Sequence, residues 1–337
     1  MAVPTLSYPE AIVIGLLQGV TELFPVSSLG HSVLIPAFIG GRWARDLSLT
    51  ADRSPYLTFL VAVHVATAIA LVVFFRHDWV RILKGLATSL RDRQIATADQ
   101  RLAWLLIVAT IPVGLAGLAL EHAVRTSLGK PLPASIFLVL NGVLLATVER
   151  LRRRKAAAGQ LAAPMRIGSA PQQHERGQVY AAASAQHDDG RVRGVSAGQP
   201  AGGGVASDRR LAAQSWAQAV LIGAAQILAL LPGISRSGAT MGAGLLRGLS
   251  HEDAARFAFL LATPVIAAAG VLKLPDLAGP TGHGIIGQVL AGSVVAGVAA
   301  YLSLRFLTRY FETRTLTPFA IYCIVAGLVS VAWNVIG

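Results

Sequence analysis

Gln18-Gly19-Val20-Thr21-Glu22-Leu23-Phe24-Pro25-Val26-Ser27-Ser28-Leu29-Gly30-His31 breaks an apolar helix at a proline and refills the break with small hydroxyl residues. Far along the chain, Leu231-Pro232-Gly233-Ile234-Ser235-Arg236-Ser237-Gly238-Ala239-Thr240 repeats the device. Together the two stretches hold a carboxylate, an imidazole, a guanidinium and a run of hydroxyls. The sequence around them reads as membrane. Polar groups in hydrocarbon are costly, so a cluster of this kind marks a functional site by default.

Composition sets the class. Apolar residues make up 54% of the 337 and charged ones only 14%, and mean hydropathy is +0.59. Roughly 20 apolar residues cross a hydrocarbon core. Six stretches approach that length: 56–75, 102–120, 134–148, 254–272, 285–307 and 318–336. The N-terminus lacks a basic region and carries Glu10, so the first apolar stretch is expected in the mature fold rather than in a secretory signal. A net charge of +12 suggests nucleic acid until the charges are placed. Eleven of the 29 Lys and Arg lie in 150–210 and six in 76–101. That is the loop asymmetry of membrane topology, not a groove-lining stripe. The single Cys323 sits in the last apolar stretch and reads as packing.

The two ends of the chain echo each other. Ile14-Gly-Leu-Leu-Gln18 precedes Pro25 and Ser28, as Ile222-Gly-Ala-Ala-Gln226 precedes Pro232 and Ser235. Later, Pro133-x-x-Ile136-Phe137 with Gly142 matches Pro318-x-x-Ile321-Tyr322 with Gly327. The expected fold is therefore all-α and polytopic, with six transmembrane helices and two re-entrant broken-helix hairpins. A first repeat spans 1–150, with its hairpin at 8–39 and three spans. A second spans 214–337, with its hairpin at 214–249 and three more. Three crossings is odd, so the second repeat enters from the opposite side, giving an inverted-topology repeat. Residues 151–213, rich in Ala, Gly, Gln and Arg, read as a disordered cytoplasmic loop. With that loop inside, the cytoplasmic segments 76–101, 150–213 and 308–317 carry six, eleven and two Lys plus Arg. The outer segments 40–53, 121–133 and 273–283 carry three, two and one. This is the positive-inside pattern. Residues 77–93 are too polar to span and read as an amphipathic segment at the interface.

Gln18 and Glu22 are four apart and share a helix face. Pro25 ends that helix, and Ser27–Ser28 begin the next as preferred N-caps. Ser28 and His31 then lie three apart, and a hydroxyl beside an imidazole with a carboxylate nearby is how a nucleophile is activated. The same Glu22 and His31 also suit a buried polar pair that merely holds the hairpin. In the second hairpin, Gly233 admits close backbone approach, and the helix that follows begins at Ser235–Arg236. Such a helix start binds anions, and the planar Arg236 fork matches phosphate oxygens. Ser27, Ser235, Ser237 and Thr240 add donors, making phosphate the best-fitting anion. Alternatively, Arg236 pairs with Glu22 as a structural ion pair. His64, alone in the first span, reads as a packed polar residue. No Walker loop, zinc-spaced cluster or nucleotide fingerprint is present.

At these motifs the chain resembles the undecaprenyl-diphosphate phosphatase family, also called the bacitracin-resistance family. Pro232-Gly-Ile-Ser-Arg-Ser-Gly-Ala-Thr240 and Gln18-x3-Glu22 with Pro25-Val-Ser-Ser28 and Gly30-His31 carry the likeness. The resemblance implies a multi-pass hydrolase of the bacterial plasma (inner) membrane. It would remove the terminal phosphate of a polyprenyl diphosphate, recycle the carrier for peptidoglycan synthesis and confer tolerance to bacitracin. It implies an active site facing the external side, dependence on a divalent cation (Mg or Ca) for which Glu22 is the one carboxylate, and a role for Ser28, His31, Glu22 and Arg236 in catalysis. It names the lipid and the bilayer as partners, not nucleic acid, and leaves self-association open. Two departures stand out: Gln18 replaces a frequent Glu, and Leu29 a frequent Thr. Another class of lipid phosphatase uses Lys-x6-Arg-Pro, but here Lys84-x6-Arg91 is followed by Asp92. The competing reading is a polyprenyl-phosphate transporter or flippase with a head-group site. It would need Arg236 but has no use for an activated hydroxyl.

Overall fold

Proline and serine punctuation sets where the helices start and stop. In a computed structural model, residues 6–48, 55–162, 201–277 and 284–336 are described, and the regular structure among them is helical. The order is α1 (Tyr8–Thr21), α2 (Ser28–Ile39), α3 (Gly41–Asp46), α4 (Pro55–Phe74), α5 (Arg76–Asp92), α6 (Ala98–Leu128) and α7 (Pro131–Ala162). After these come α8 (Ala201–Ala212), α9 (Trp216–Ala224) tightening into a 3-10 segment over Ala225–Leu230, α10 (Arg236–Leu246), α11 (His251–Leu277), α12 (Ile286–Thr313) and α13 (Thr317–Ile336).

Among the described residues, six helical segments are long and apolar enough to cross a membrane: Pro55–Phe74, Ala98–Leu120, Pro131–Ala158, His251–Leu272, Ile286–Thr313 and Thr317–Ile336. They coincide with the six apolar stretches, and the third extends past both expected ends. Large apolar side chains such as Ile69, Leu115, Leu118, Val294, Val298 and Val329 face outward around this set. A soluble monomer rarely exposes so much contiguous apolar surface, whereas lipid requires it. The chain is a multi-pass membrane protein.

The two breaks have local causes. Helix α1 opens with Glu10 accepting from the Ser7 N–H (2.7 Å) and hydroxyl (2.6 Å). It ends at Thr21, four residues before the proline whose ring would meet that carbonyl. Helix α2 starts at Ser28 with Ser27 as N-cap, its hydroxyl accepting from Gly30 N–H at 3.2 Å. Helix α9 opens with the Ser215/Gln218 capping box. After Pro232-Gly233, Ser235 caps α10 by accepting from Gly238 N–H at 3.2 Å.

Glycines set which helices touch. A Cβ on Gly15 of α1 would lie 2.4 Å from the Gly292 carbonyl of α12, and one on Gly19 would lie 2.3 Å from that of Ala296. At the echoing position, a Cβ on Gly223 of α9 would lie 2.0 Å from the Ala109 carbonyl of α6. Each broken helix therefore packs against the middle span of the other half. Between α7 and α13, Gly142 faces Ile324 and Gly327 faces Val139.

The segment 151–213 departs from its expected disorder at both ends. Helix α7 continues to Ala162, and α8 occupies 201–212; residues 163–200 lie outside the described set. Helix α8 is fastened by charge that composition does not reveal. Buried Asp208 accepts from Arg256 at 2.7 Å and from Arg81 at 2.5 Å. Arg256 also pairs with Asp78 at 3.0 Å, and Arg210 with Asp253 at 2.7 Å. The amphipathic 77–93 segment is α5, whose Ile82 and Gly85 are buried.

Candidate active site

The two breaks meet. A Cβ on Gly30 would lie 2.9 Å from Gly233 Cα, so the backbones are in contact there. Gly233 has φ +114, a conformation that favours glycine, and its own Cβ would collide with the Ala134 carbonyl at 2.4 Å. The Gly233 N–H donates to the Ser27 hydroxyl at 3.2 Å. Ser27 itself sits at φ 71, a strained position for a residue with a Cβ. Such strain persists only where the surroundings over-determine it, as at functional sites.

Asn141 of α7 ties both loops at once. Its amide nitrogen donates to the Pro25 carbonyl at 3.0 Å, and its amide oxygen accepts from Ser235 N–H at 3.0 Å. The same nitrogen lies 3.3 Å from buried Cys323 Sγ, so Cys323 packs behind this tie. Ser237 donates to the Phe24 carbonyl at 3.1 Å, and Ser235 shares a 3.0 Å hydroxyl contact with Ser237.

Glu22 is the hub of the junction. Its Oε2 accepts from the Ser28 hydroxyl at 2.5 Å and from Gln18 Nε2 at 2.8 Å, with His64 Nε2 at 3.4 Å. Its Oε1 accepts from Arg236 at 2.9 Å. The second guanidinium nitrogen of Arg236 donates to the Ala262 carbonyl at 3.1 Å, which holds the fork over the carboxylate. All of these side chains are buried except His64 and Arg236, which are partly so. Ser28 and Arg236 are the first residues of α2 and α10. Two helix N-termini, with their positive dipole ends, thus open on one carboxylate.

The expected partnership of His31 with Ser28 is absent. The His31 Nδ1 lies 2.7 Å from the Ser27 carbonyl, so it carries the proton there, and Nε2 accepts from the Tyr322 hydroxyl at 2.7 Å. The ring stacks on Tyr322, with centroids 5.7 Å apart and planes 9° apart. Three residues along α2 share a helix face, but the Ser27 cap turns the imidazole towards α13. The alternative pairing of His31 with Glu22 is likewise absent. Thr240 bonds back to the Arg236 carbonyl at 2.8 Å, and the Ser235 and Ser237 hydroxyls serve the Phe24 carbonyl and the α10 cap. These three hydroxyls hold the loops.

Three residues at the junction escaped the reading of sequence. His64, expected to be packing, has Nδ1 at 2.7 Å from the Leu60 carbonyl and Nε2 towards Glu22. Its signal was present, since a lone imidazole in an apolar span is itself a functional flag. Asn141 lies beside Gly142 in the second echo, and Tyr322 reads there only as the match to Phe137.

A divalent cation fits this arrangement poorly. Among the described residues, no group of three or more His, Cys, Asp or Glu comes together. Glu22 already meets Ser28, Gln18, Arg236 and His64, and two of these are cationic or able to be. The buried Oε1 of Gln18, whose Nε2 bonds Glu22, has no hydrogen-bond partner. One saturated carboxylate and one amide oxygen fall short of the oxygen cage that Mg or Ca takes.

An ion-paired arginine, a short hydroxyl–carboxylate contact and two helix N-termini thus lie together among the spans of a membrane protein. The family model "Bacitracin resistance protein BacA" matches residues 11–172 and 192–329, and the chain belongs to this BacA family. It is 62% identical over 328 residues to "Undecaprenyl-diphosphatase" of Mycolicibacterium paratuberculosis, covering 97% of each chain. It is 55% identical to "Undecaprenyl-diphosphatase 1" of Frankia casuarinae, over 96% of this chain and 97% of that one. With "Undecaprenyl-diphosphatase" of Gluconacetobacter diazotrophicus it shares 42% identity, over 97% of this chain and 96% of that one.

Proposed function

We propose that this chain is an integral membrane phosphatase that converts undecaprenyl diphosphate to undecaprenyl phosphate and inorganic phosphate. Its role is to return the lipid carrier to peptidoglycan synthesis, with bacitracin tolerance as a consequence. The observation that carries the reading is the Ser28 hydroxyl at 2.5 Å from Glu22, beside Arg236, in a chain with full-length undecaprenyl-diphosphatase relatives. A carrier needs an anion site but not that hydroxyl–carboxylate pair.

In this mechanism Ser28 Oγ attacks the terminal phosphorus and Glu22 takes its proton. The bridging P–O bond breaks and undecaprenyl phosphate leaves with the electron pair. Glu22 passes that proton on to the departing undecaprenyl phosphate. Water then attacks the phosphoserine phosphorus and gives a proton to Glu22, which returns it to Ser28 Oγ as the Oγ–P bond breaks and inorganic phosphate departs. The general base is thus Glu22, not His31, which keeps the Ser27 turn in place. Arg236 exchanges Glu22 for phosphate oxygens, and His64 turns Nε2 towards the carboxylate from the first span. Phosphoryl transfer is mostly positioning plus electrostatic stabilisation, which suits this set. The divalent cation that the family likeness implies enters no step, because the donor set does not hold one. Ser28→Ala should abolish phosphate release from polyprenyl diphosphate by the purified protein while leaving lipid binding intact. Retention of most of the activity in that variant would falsify the assignment.

The same reading places two repeats, 1–150 and 214–337, in inverted orientation in the plasma membrane, with their hairpins re-entrant and the site open to the outside. Support comes from the echoing Gly15 and Gly223, each of which packs a broken helix on the other half's middle span. The positive-inside pattern sets the direction. Tags inserted within 163–200 and at the C-terminus should report opposite sides of the membrane; the same side for both would rule out an inverted plan.

A further inference from the structure

Away from the catalytic junction, the C-terminal end of α12 carries an open groove of about 450 Å³ lined by Leu302, Arg305, Phe306, Arg309, Tyr310 and Arg314, with Thr313 at its edge. Arg305, Arg309 and Arg314 are all exposed. None of the three has an ion-pair partner among the described residues, whereas Arg81, Arg210, Arg236 and Arg256 all do. Between the arginines the surface is apolar and aromatic: Leu302 is 57% exposed and Phe306 53%. Phe306 stacks on Tyr310 at 5.6 Å and, on its other side, on Phe24 of the first break at 5.9 Å.

We propose that this groove holds the phosphodiester headgroup of an anionic phospholipid, with an acyl chain along Leu302 and Phe306. Three features select that occupant. Guanidinium forks match phosphate oxygens and are less strongly hydrated than ammonium groups, so they bind them at a partly desolvated surface. The groove ends a helix long and apolar enough to span, so its arginines fall where a span meets headgroups and its apolar floor continues into the lipid-facing surface. Basic pockets at such positions are the usual form of lipid headgroup sites. The chain's own segment 163–200 is no substitute, because it carries four Arg against three acidic residues and cannot neutralise the groove. The site is separate from Glu22 and Ser28 and stands whether or not the phosphatase reading does. Its link to the catalytic junction is the Phe24–Phe306 stack.

The test uses the full chain, purified and delipidated in detergent, with phosphatidylglycerol, phosphatidylcholine, inorganic phosphate and polyprenyl monophosphate added separately. Phosphatidylglycerol should raise the melting temperature, and the rise should shrink as salt screens the contact. Phosphatidylcholine and inorganic phosphate should leave it unmoved. In native mass spectra, Arg305→Gln/Arg309→Gln/Arg314→Gln should weaken phosphatidylglycerol retention by roughly fivefold per arginine, on the order of 100-fold in all. A photoactivatable phosphatidylglycerol on the unaltered protein should cross-link within 302–314, which decides the matter should the triple variant fail to fold. Equal retention by the variant, equal stabilisation by phosphatidylcholine, cross-links confined to other segments, or stabilisation by polyprenyl monophosphate alone would each overturn the proposal.

Discussion

Glu22 and Arg236 are 214 residues apart in the chain and 2.9 Å apart in the fold. The other carboxylate oxygen of Glu22 holds the Ser28 hydroxyl. Breaking a buried ion pair by removing one partner is strongly unfavourable. In the proposed mechanism, substrate phosphate would replace the carboxylate at the guanidinium and free Glu22 to act on Ser28.

Arg236→Lys should keep the charge and lose activity by on the order of 100-fold or more, the usual effect of losing one aimed donor to a developing oxyanion. Lysine cannot bond the Ala262 carbonyl and present a second, parallel donor to phosphate as the planar fork does. Turnover of polyprenyl diphosphate by the purified variant is the measurement, and near-normal rates would remove Arg236 from the mechanism.

Glu22→Gln should cut turnover by about 10²–10⁴, the range for loss of a positioned general base. The amide is nearly isosteric and keeps an acceptor for Ser28, so folding should survive. A comparable loss in the phosphoenzyme-forming burst would place the effect on the first step. An unchanged burst would move the role of Glu22 to the water step.

Asn141→Ala removes both bonds that tie the breaks through one side chain. Leaving the Pro25 carbonyl and the Ser235 N–H unpaired in a buried site should cost about 1–3 kcal/mol each. Thermal unfolding in detergent should fall accordingly. Turnover should drop more than apparent substrate affinity, since Asn141 positions Ser28 and Arg236 without itself touching either.

Gln18→Glu should create a cation site that the donors around Glu22 do not provide in the native chain. It sets a second carboxylate beside Glu22, across the gap that the Gln18 amide now bridges with a 2.8 Å hydrogen bond. Two facing carboxylates need a proton or a cation between them. Calorimetric titration with Mg or Ca, without lipid, should be flat for the native chain and saturable for the variant. A saturable isotherm for the native chain would contradict the donor count.

Sequence alone determined the helices, their breaks and the chemical inventory of the site, because these depend on neighbours a few residues away. A proline four residues past Thr21 stops α1, a serine at 27 or 235 caps the next helix, and roughly 20 apolar residues make a span whatever surrounds them. The pairing of Gly15 with α12 and Gly223 with α6 was half legible, as an echo without a partner. Only the tertiary structure decided which groups of the inventory meet. His31 turns to Tyr322, while His64, from a span that composition marks as plain, turns to Glu22. The 201–212 end of the 151–213 segment is likewise fastened because Asp208 finds Arg256 and Arg81 on other elements. Rotamer choice and ion pairing across such separations are set by which faces pack together. No local pattern encodes that.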